Sequence, residues 1–224
     1  MTGETEFQAV KDRLRKRLLK YTRRAFRMLP PLEKPRILDI GCGSGVPTAE
    51  LARLSQGQVI GLDIDPSLLD RLNKKIEKAG QSNRVTTLKC SMFDMDFPEE
   101  SFDIIWAEGS IARIGFSTGL GEWRRFLKPG GFLVVHDDAG NINKKMDQIS
   151  SQGYDLLHSF ILDEKTWWNE YYAPLERKIG ETRATQAADS KVMATLDAEE
   201  REVEMVKHNP SRCRSVYFIM KKTS

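Results

Sequence analysis

The chain has 224 residues, 40% hydrophobic and 30% charged, which suits a large globular domain and excludes disordered or collagen-like chains. Its 35 basic and 32 acidic residues leave a net charge of +3, and apolar runs such as 132–135 are far too short to cross a bilayer. Three cysteines (Cys42, Cys90, Cys213) and three histidines (His136, His158, His208), none at ligand or C-x-x-C spacing, argue against both a disulfide framework and a metal centre.

The first ten residues, MTGETEFQAV, lack the apolar stretch of a secretory leader, so the expected location is the cytoplasm. Phe7, Val10, Leu14, Leu18, Tyr21 and Ala25 recur at three- and four-residue intervals, one side of an amphipathic helix within residues 1–30. Residues 11–27 carry a local charge of +8. Such a block attracts phosphates or acidic lipid if it is free, and is a solvated polar face if the helix is docked. The regular stripe, with no aromatic interleaved for base stacking, favours docking. Pro30, Pro31 and Pro35 end the helix.

Strand and helix signals then alternate. Strands are expected at 36–40, 58–63, 85–88, 102–107 and 132–136, with helices between them. Asp65-Pro66 reads as an N-cap and first-turn proline, opening a helix with Leu68, Leu69, Leu72 and Ile76 inward and Gly80 at its close. Lys128-Pro129-Gly130-Gly131 reads as a breaker between the helix of Leu120, Trp123 and Phe126 and the fifth strand. Further on, a helix at 143–151, a strand at 155–162, helical charged sequence at 174–207 and a last strand at 215–221 complete the chain. Strands separated by helices predict β-α-β units and hence a doubly wound α/β sheet with right-handed crossovers. Ligands of such folds sit beyond the carboxyl ends of the strands. No domain boundary is visible, so 1–224 reads as one domain, with a core at 36–136 and a C-terminal part at 141–224.

The strongest motif is ILDIGCGSGVPT, residues 37–48, in which Gly41, Gly43 and Gly45 leave a strand and enter a helix. Its G-x-G-x-G spacing is neither the dinucleotide fingerprint nor a P-loop. Asp39 stands at the mouth of the loop, where a carboxylate repels a pyrophosphate and welcomes an ammonium or sulfonium. Asp63 ends the second strand, where a carboxylate accepts from both hydroxyls of a ribose. Together they suggest a phosphate-free nucleoside with a cationic amino-acid end, a description that fits S-adenosylmethionine.

LDIGCGSG (38–45), GLDIDPSLL (61–69), FPEESFDIIWAEGSI (97–111) and FLKPGGFLVV (126–135) together resemble the class I S-adenosylmethionine-dependent methyltransferases of the broad type-11 kind. The resemblance covers 36–136 in the family's order. YDLLHSFILDEKTWWNEYYAPL (154–175) is similar to a small-molecule-type subgroup. The resemblance implies a Rossmann-like seven-stranded sheet, mostly parallel, with the last strand antiparallel beside the fifth and helices on both faces. It also implies that Asp39, Gly41, Cys42, Gly43 and Gly45 line the methionine end, that Asp63 holds the ribose and that Ile64 covers the adenine. Ser91 and Met92 fall where the family usually has an acidic residue, so that contact is replaced only in part. Ala107 and Glu108 would close the site.

Methyl transfer from a sulfonium needs alignment and exclusion of water more than a strong base, so the lack of a triad or metal cluster does not argue against catalysis. Ala107-Glu108-Gly109-Ser110 differs from the Asn/Asp-Pro-Pro-aromatic motif of amino-directed nucleic-acid methyltransferases. Glu108 is a candidate to bind the donor's ammonium, hold a cationic acceptor, act as base, or brace the backbone. His136 is a candidate proton acceptor, acceptor contact or structural residue. Trp168, Tyr171 and Tyr172 are candidate acceptor contacts, or else core. The expected partner is a small-molecule acceptor, with no metal. The alternatives are an RNA or protein methyltransferase using the basic helix, and a catalytically silent cofactor-binding module.

Overall fold

The computed structural model of the chain describes residues 3–185 and 190–223, with side chains from residue 6 onward. Seven strands, β1 (Arg36–Ile40), β2 (Gln58–Asp63), β3 (Val85–Lys89), β4 (Phe102–Glu108), β5 (Leu127–Asp138), β6 (Tyr154–Leu162) and β7 (Ser215–Lys222), form one sheet in the order β3-β2-β1-β4-β5-β7-β6. Pairs β3–β2, β2–β1, β1–β4 and β4–β5 are parallel, and β7 runs antiparallel to the other six. The expected mixed seven-stranded sheet is therefore the observed one. Its strand order reverses direction between β1 and β4, the switch point where such sheets open a crevice.

Helix α1 (Gly3–Arg27) precedes β1, and α2 (Val46–Ser55), α3 (Pro66–Lys78), α4 (Phe116–Arg124) and α5 (Ile142–Ser151) connect successive strands. Asp65 caps α3 as expected, its carboxylate accepting from the Ser67 amide at 2.8 Å. Leu69, Leu72 and Ile76 are buried, whereas Leu68 is only half-buried. Beneath the helices, Leu38, Ile40, Ile105, Leu133, Phe218 and Trp123 belong to one continuous apolar core.

The breaker expected at 128–131 lies inside β5 instead. Phe102 pairs with Leu127 and Ile104 with Phe132, so the ladder skips residues 128–131 as a bulge and resumes on both sides. Gly130, at φ +69°, supplies the left-handed turn that the bulge needs. A local sequence window registers this detour as a stop.

Contacts group the residues into two compact units, one of Met1–Lys20 with Leu162–Ser215 and one of Tyr21–Ile161 with Val216–Ser224. The first is helical: the opening part of α1, α6 (Glu164–Trp167), a π-helical turn at Trp168–Tyr172, α7 (Ala173–Thr185) and α8 (Ser190–His208) surround Phe7, Leu14, Leu175, Val192 and Leu196. The helical signal over 174–207 is thus two helices; residues 186–189 lie outside the described residues. No helix among the described residues is long and apolar enough to cross a membrane.

Candidate functional site

The glycine loop is tied to β2 by its own backbone. The amides of Gly41 and Cys42 both donate to the Leu62 carbonyl, at 2.8 and 2.9 Å. The Gly43 amide donates to Asp63 Oδ2 at 2.8 Å, and the Asp65 amide donates to Asp63 Oδ1 at 3.0 Å. Asp63 therefore holds the loop beside it while standing at the carboxyl end of β2, as the sequence requires of a ribose acceptor.

Gly45 is fixed by space: at φ +73°, a Cβ there would stand 2.2 Å from Leu72 Cδ1. Gly41 is crowded from the β4 side, where its Cβ would lie 2.5 Å from Ser110 Cβ. Ser110 in turn donates to the Ile40 carbonyl at 2.6 Å. The loop and the turn after β4 are thus in van der Waals contact.

Asp39 is 2% exposed and accepts from Thr48 Oγ1 at 2.6 Å. Burial pushes its pKa up to about 7; the Thr48 hydrogen bond opposes the rise, and the charges of Glu108 and Asp63 add to it. Asp39 thus sits beneath the loop rather than at an open mouth. Cys42 is 7% exposed, and burial raises its thiol well above the ordinary range, which leaves it inert and small.

Ile64 lies 68% exposed just past β2, and Phe93, which the sequence reading did not single out, 65% exposed just past β3. Both follow neighbouring parallel strands on the carboxyl-end side of the sheet. Ser91 Oγ accepts from the Phe93 amide at 3.1 Å, shaping that turn, and Met92 packs against the core. Ala107, expected to border the site, is fully buried in the core.

Glu108 and His136 are register partners at the ends of β4 and β5, and both are half-buried. Glu108 Oε1 accepts from Trp106 Nε1 and from Thr22 Oγ1, each at 2.9 Å, and the carboxylate also takes the Tyr217 hydroxyl. Burial holds its pKa above the usual carboxylate range, against the pull of these three donors. His136 stacks flat on Tyr217, with centroids 4.1 Å apart and planes 6° apart. Burial lowers its pKa to about 3, so the ring is neutral and too weakly basic to collect a proton at neutral pH. Thr22, Trp106 and Tyr217 are nearly inaccessible, a floor under the two accessible side chains.

The other acceptor candidates lie in the helical unit. Tyr171 and Tyr172 are buried in its core, and the Tyr172 hydroxyl donates to Glu202 at 3.0 Å. Trp168 instead lines a cavity of about 320 Å³ with Val206, Pro210 and Cys213. Among the described residues no cluster of His, Cys, Asp and Glu could hold a metal ion.

Residues 37–131 match a protein family described as the methyltransferase domain. The 27-O-demethylrifamycin SV methyltransferase of Amycolatopsis mediterranei is 30% identical over 144 residues, 61% of this chain and 53% of that enzyme. The chain thus spans about half the length of this relative. Among solved structures, the [4+2]-cyclase SpnF superposes with a TM-score of 0.76 at 18% identity, covering 91% of this chain and 81% of that one. A methyltransferase from Geobacter sulfurreducens in complex with S-adenosylhomocysteine gives 0.73 at 17% identity, covering 92% and 90%. At such identities the structures establish a shared fold.

Proposed function

We propose, starting from the class I S-adenosylmethionine-dependent methyltransferase domain that this chain carries at 37–131, that it transfers a methyl group to a small-molecule acceptor. The observation that carries the reading is the bond from the Gly43 amide to Asp63, which joins the glycine loop to the ribose acid in one rigid cradle. The residues present fit the donor: Asp63 for the ribose hydroxyls, Ile64 and Phe93 for the adenine, and the loop over Asp39 for the amino-acid end. When bound, S-adenosylmethionine supplies an electrophilic methyl carbon. The chain's own part is to align donor and acceptor and exclude water, effects that together lower a barrier by about 7–11 kcal/mol in the best oriented cases.

A small acceptor is supported by the rifamycin-directed relative. The nucleic-acid alternative loses support from α1, because Lys11, Arg17, Lys20 and Arg23 meet carboxylates of the chain itself. Arg17 and Lys20 bind Glu170 at 3.3 and 2.6 Å, Lys11 binds Glu199, and Arg23 binds Glu50 at 2.7 Å. A cytoplasmic location belongs to the same reading, supported by the free thiols of Cys42, Cys90 and Cys213.

Calorimetry with S-adenosylmethionine and S-adenosylhomocysteine tests the donor site; absence of heat or thermal shift with both defeats the reading. A labelled-donor screen against fractionated metabolites then tests transfer. Binding without any labelled product would leave the catalytically silent alternative standing instead.

A further inference from the structure

Across the sheet, the site reads as a sequence of stations. Phe93 follows β3, Ile64 and Asp63 belong to the end of β2, the glycine loop follows β1, and Glu108 ends β4. A nucleoside laid from β3 to β2 puts its amino-acid end over the loop. The next strand, one spacing of roughly 4.8 Å further on, brings Glu108. Contact between Gly41 and Ser110 closes that step, since Ser110 is two residues from Glu108. Glu108 also lies near enough to Asp39 for its charge to raise that acid.

A carboxylate in such a half-buried place costs free energy unless donors compensate it. Here the side chains of Thr22, Trp106 and Tyr217 converge on it from α1, β4 and β7. Their hydrogen bonds each favour the ionised form and offset part of the rise in pKa that burial causes. A carboxylate fixed by three donors and partly accessible beside the glycine loop can face either cation of the donor, the α-ammonium or the sulfonium, and of the two only the sulfonium is lost on transfer.

We propose that Glu108 is the counter-charge of the transferable methyl group, so that the site prefers the charged donor over its neutral thioether product, with Thr22, Trp106 and Tyr217 as its positioning residues. This rests on the donor assignment made above. In the transfer, a bond forms between the acceptor's lone pair and the methyl carbon while the carbon–sulfur bond breaks. Its electron pair stays on sulfur, and the positive charge passes to the acceptor, which sheds a proton to water where it carries one. The charge moves only across the reacting atoms, so Glu108 faces it in the transition state as well as in the ground state. Its attraction is lost only when the thioether remains alone, which favours product release.

The test compares the affinities of S-adenosylmethionine, S-adenosylhomocysteine and sinefungin, which carries an ammonium where the donor carries its methylated sulfur, in wild type and Glu108→Gln. The expected result is a loss of about tenfold for the two cations relative to the thioether. Tyr217→Phe and Thr22→Val keep the carboxylate and loosen its clamp; each should lower the same ratio by a smaller factor, roughly threefold. Thioether binding reports that each variant is folded. Equal weakening of all three ligands, or an unchanged ratio, overturns the proposal, the former pointing to the amino-acid end. Failure of wild type to bind the thioether at all would overturn the donor assignment itself, a distinguishable result.

Discussion

Gly43 and Asp63 are joined by a 2.8 Å hydrogen bond from the loop amide to the carboxylate, so the acid expected to recognise the ligand also shapes the loop that covers it. Replacing Asp63 by Ala should therefore remove a ribose contact and loosen the loop together. A lost charged hydrogen bond is worth ~1.5–3 kcal/mol, or at least about a tenfold weaker affinity for S-adenosylhomocysteine by calorimetry. Unchanged affinity would show that the ribose lies elsewhere.

Asp39 should make binding of the proposed donor pH-dependent. Its pKa of about 7 in the folded chain, against an ordinary 3.8, means the folded state holds a proton that the unfolded chain has released between those values. Stability from this group is thus present at low pH and falls as pH rises from about 4 to about 7, by roughly 4 kcal/mol, levelling off above. A cationic donor reverses the preference, since it favours ionised Asp39. Facing it are Thr48, Glu108 and Asp63, and Glu108 responds in the same sense. Affinity for S-adenosylmethionine should rise from pH 6 to pH 8 with release of a proton, measurable by calorimetry in buffers of different ionisation enthalpy. Asp39→Asn should flatten the dependence.

Gly45→Ala should destabilise the fold whether or not ligand is present. The added methyl meets the Leu72 side chain at 2.2 Å on a backbone at φ +73°, combining overpacking with left-handed strain. Each effect costs about 1–2 kcal/mol or more. Urea unfolding should show the loss, and in a Leu72→Ala background the same substitution should cost less, by the overpacking part.

Lys145 is 8% exposed, and its ammonium binds Asp137 Oδ2 at 2.7 Å, the Asp138 carbonyl at 2.6 Å and Asp138 Oδ2 at 2.9 Å. Lys145→Met keeps the volume but strands the buried Asp137 carboxylate, a loss of ~3–5 kcal/mol. Chemical denaturation measures it, and a change below ~1 kcal/mol would mean that water reaches Asp137 freely.

Because Lys11, Arg17, Lys20 and Arg23 of α1 are paired within the chain, an RNA column should not retain the protein at physiological salt. Tight retention that falls steeply with added salt would restore a nucleic-acid role.

Much of the geometry at the candidate donor site was legible in the sequence because it is built from local signals. The G-x-G-x-G turn, the acid ending β2 and the Asp65-Pro66 cap each need only a few adjacent residues. What pairs across the chain was not legible. The family resemblance alone, not the alternation of apolar residues, placed the last strand beside β5, and that Tyr217 there reaches Glu108 and His136 showed only in the structure. Thr22 looks like an ordinary polar position on a basic helix until it meets Glu108. The aromatic cluster at 167–172 read alike for core and pocket, since periodicity says which side chains share a face and not what faces them. Phe93 carried a signal that was passed over, a bulky apolar residue in a turn just beyond a strand.

The sheet order also bears on synthesis. β7 occupies the slot between β5 and β6 but leaves the ribosome after both. Until it arrives, β6, with Leu156, Leu157 and Ile161 uncovered on its flanks, has no hydrogen-bonding neighbour in the growing chain. A nascent polypeptide of this design therefore carries an unpaired β6 edge until β7 has emerged, an open template for wrong strand pairing in that interval.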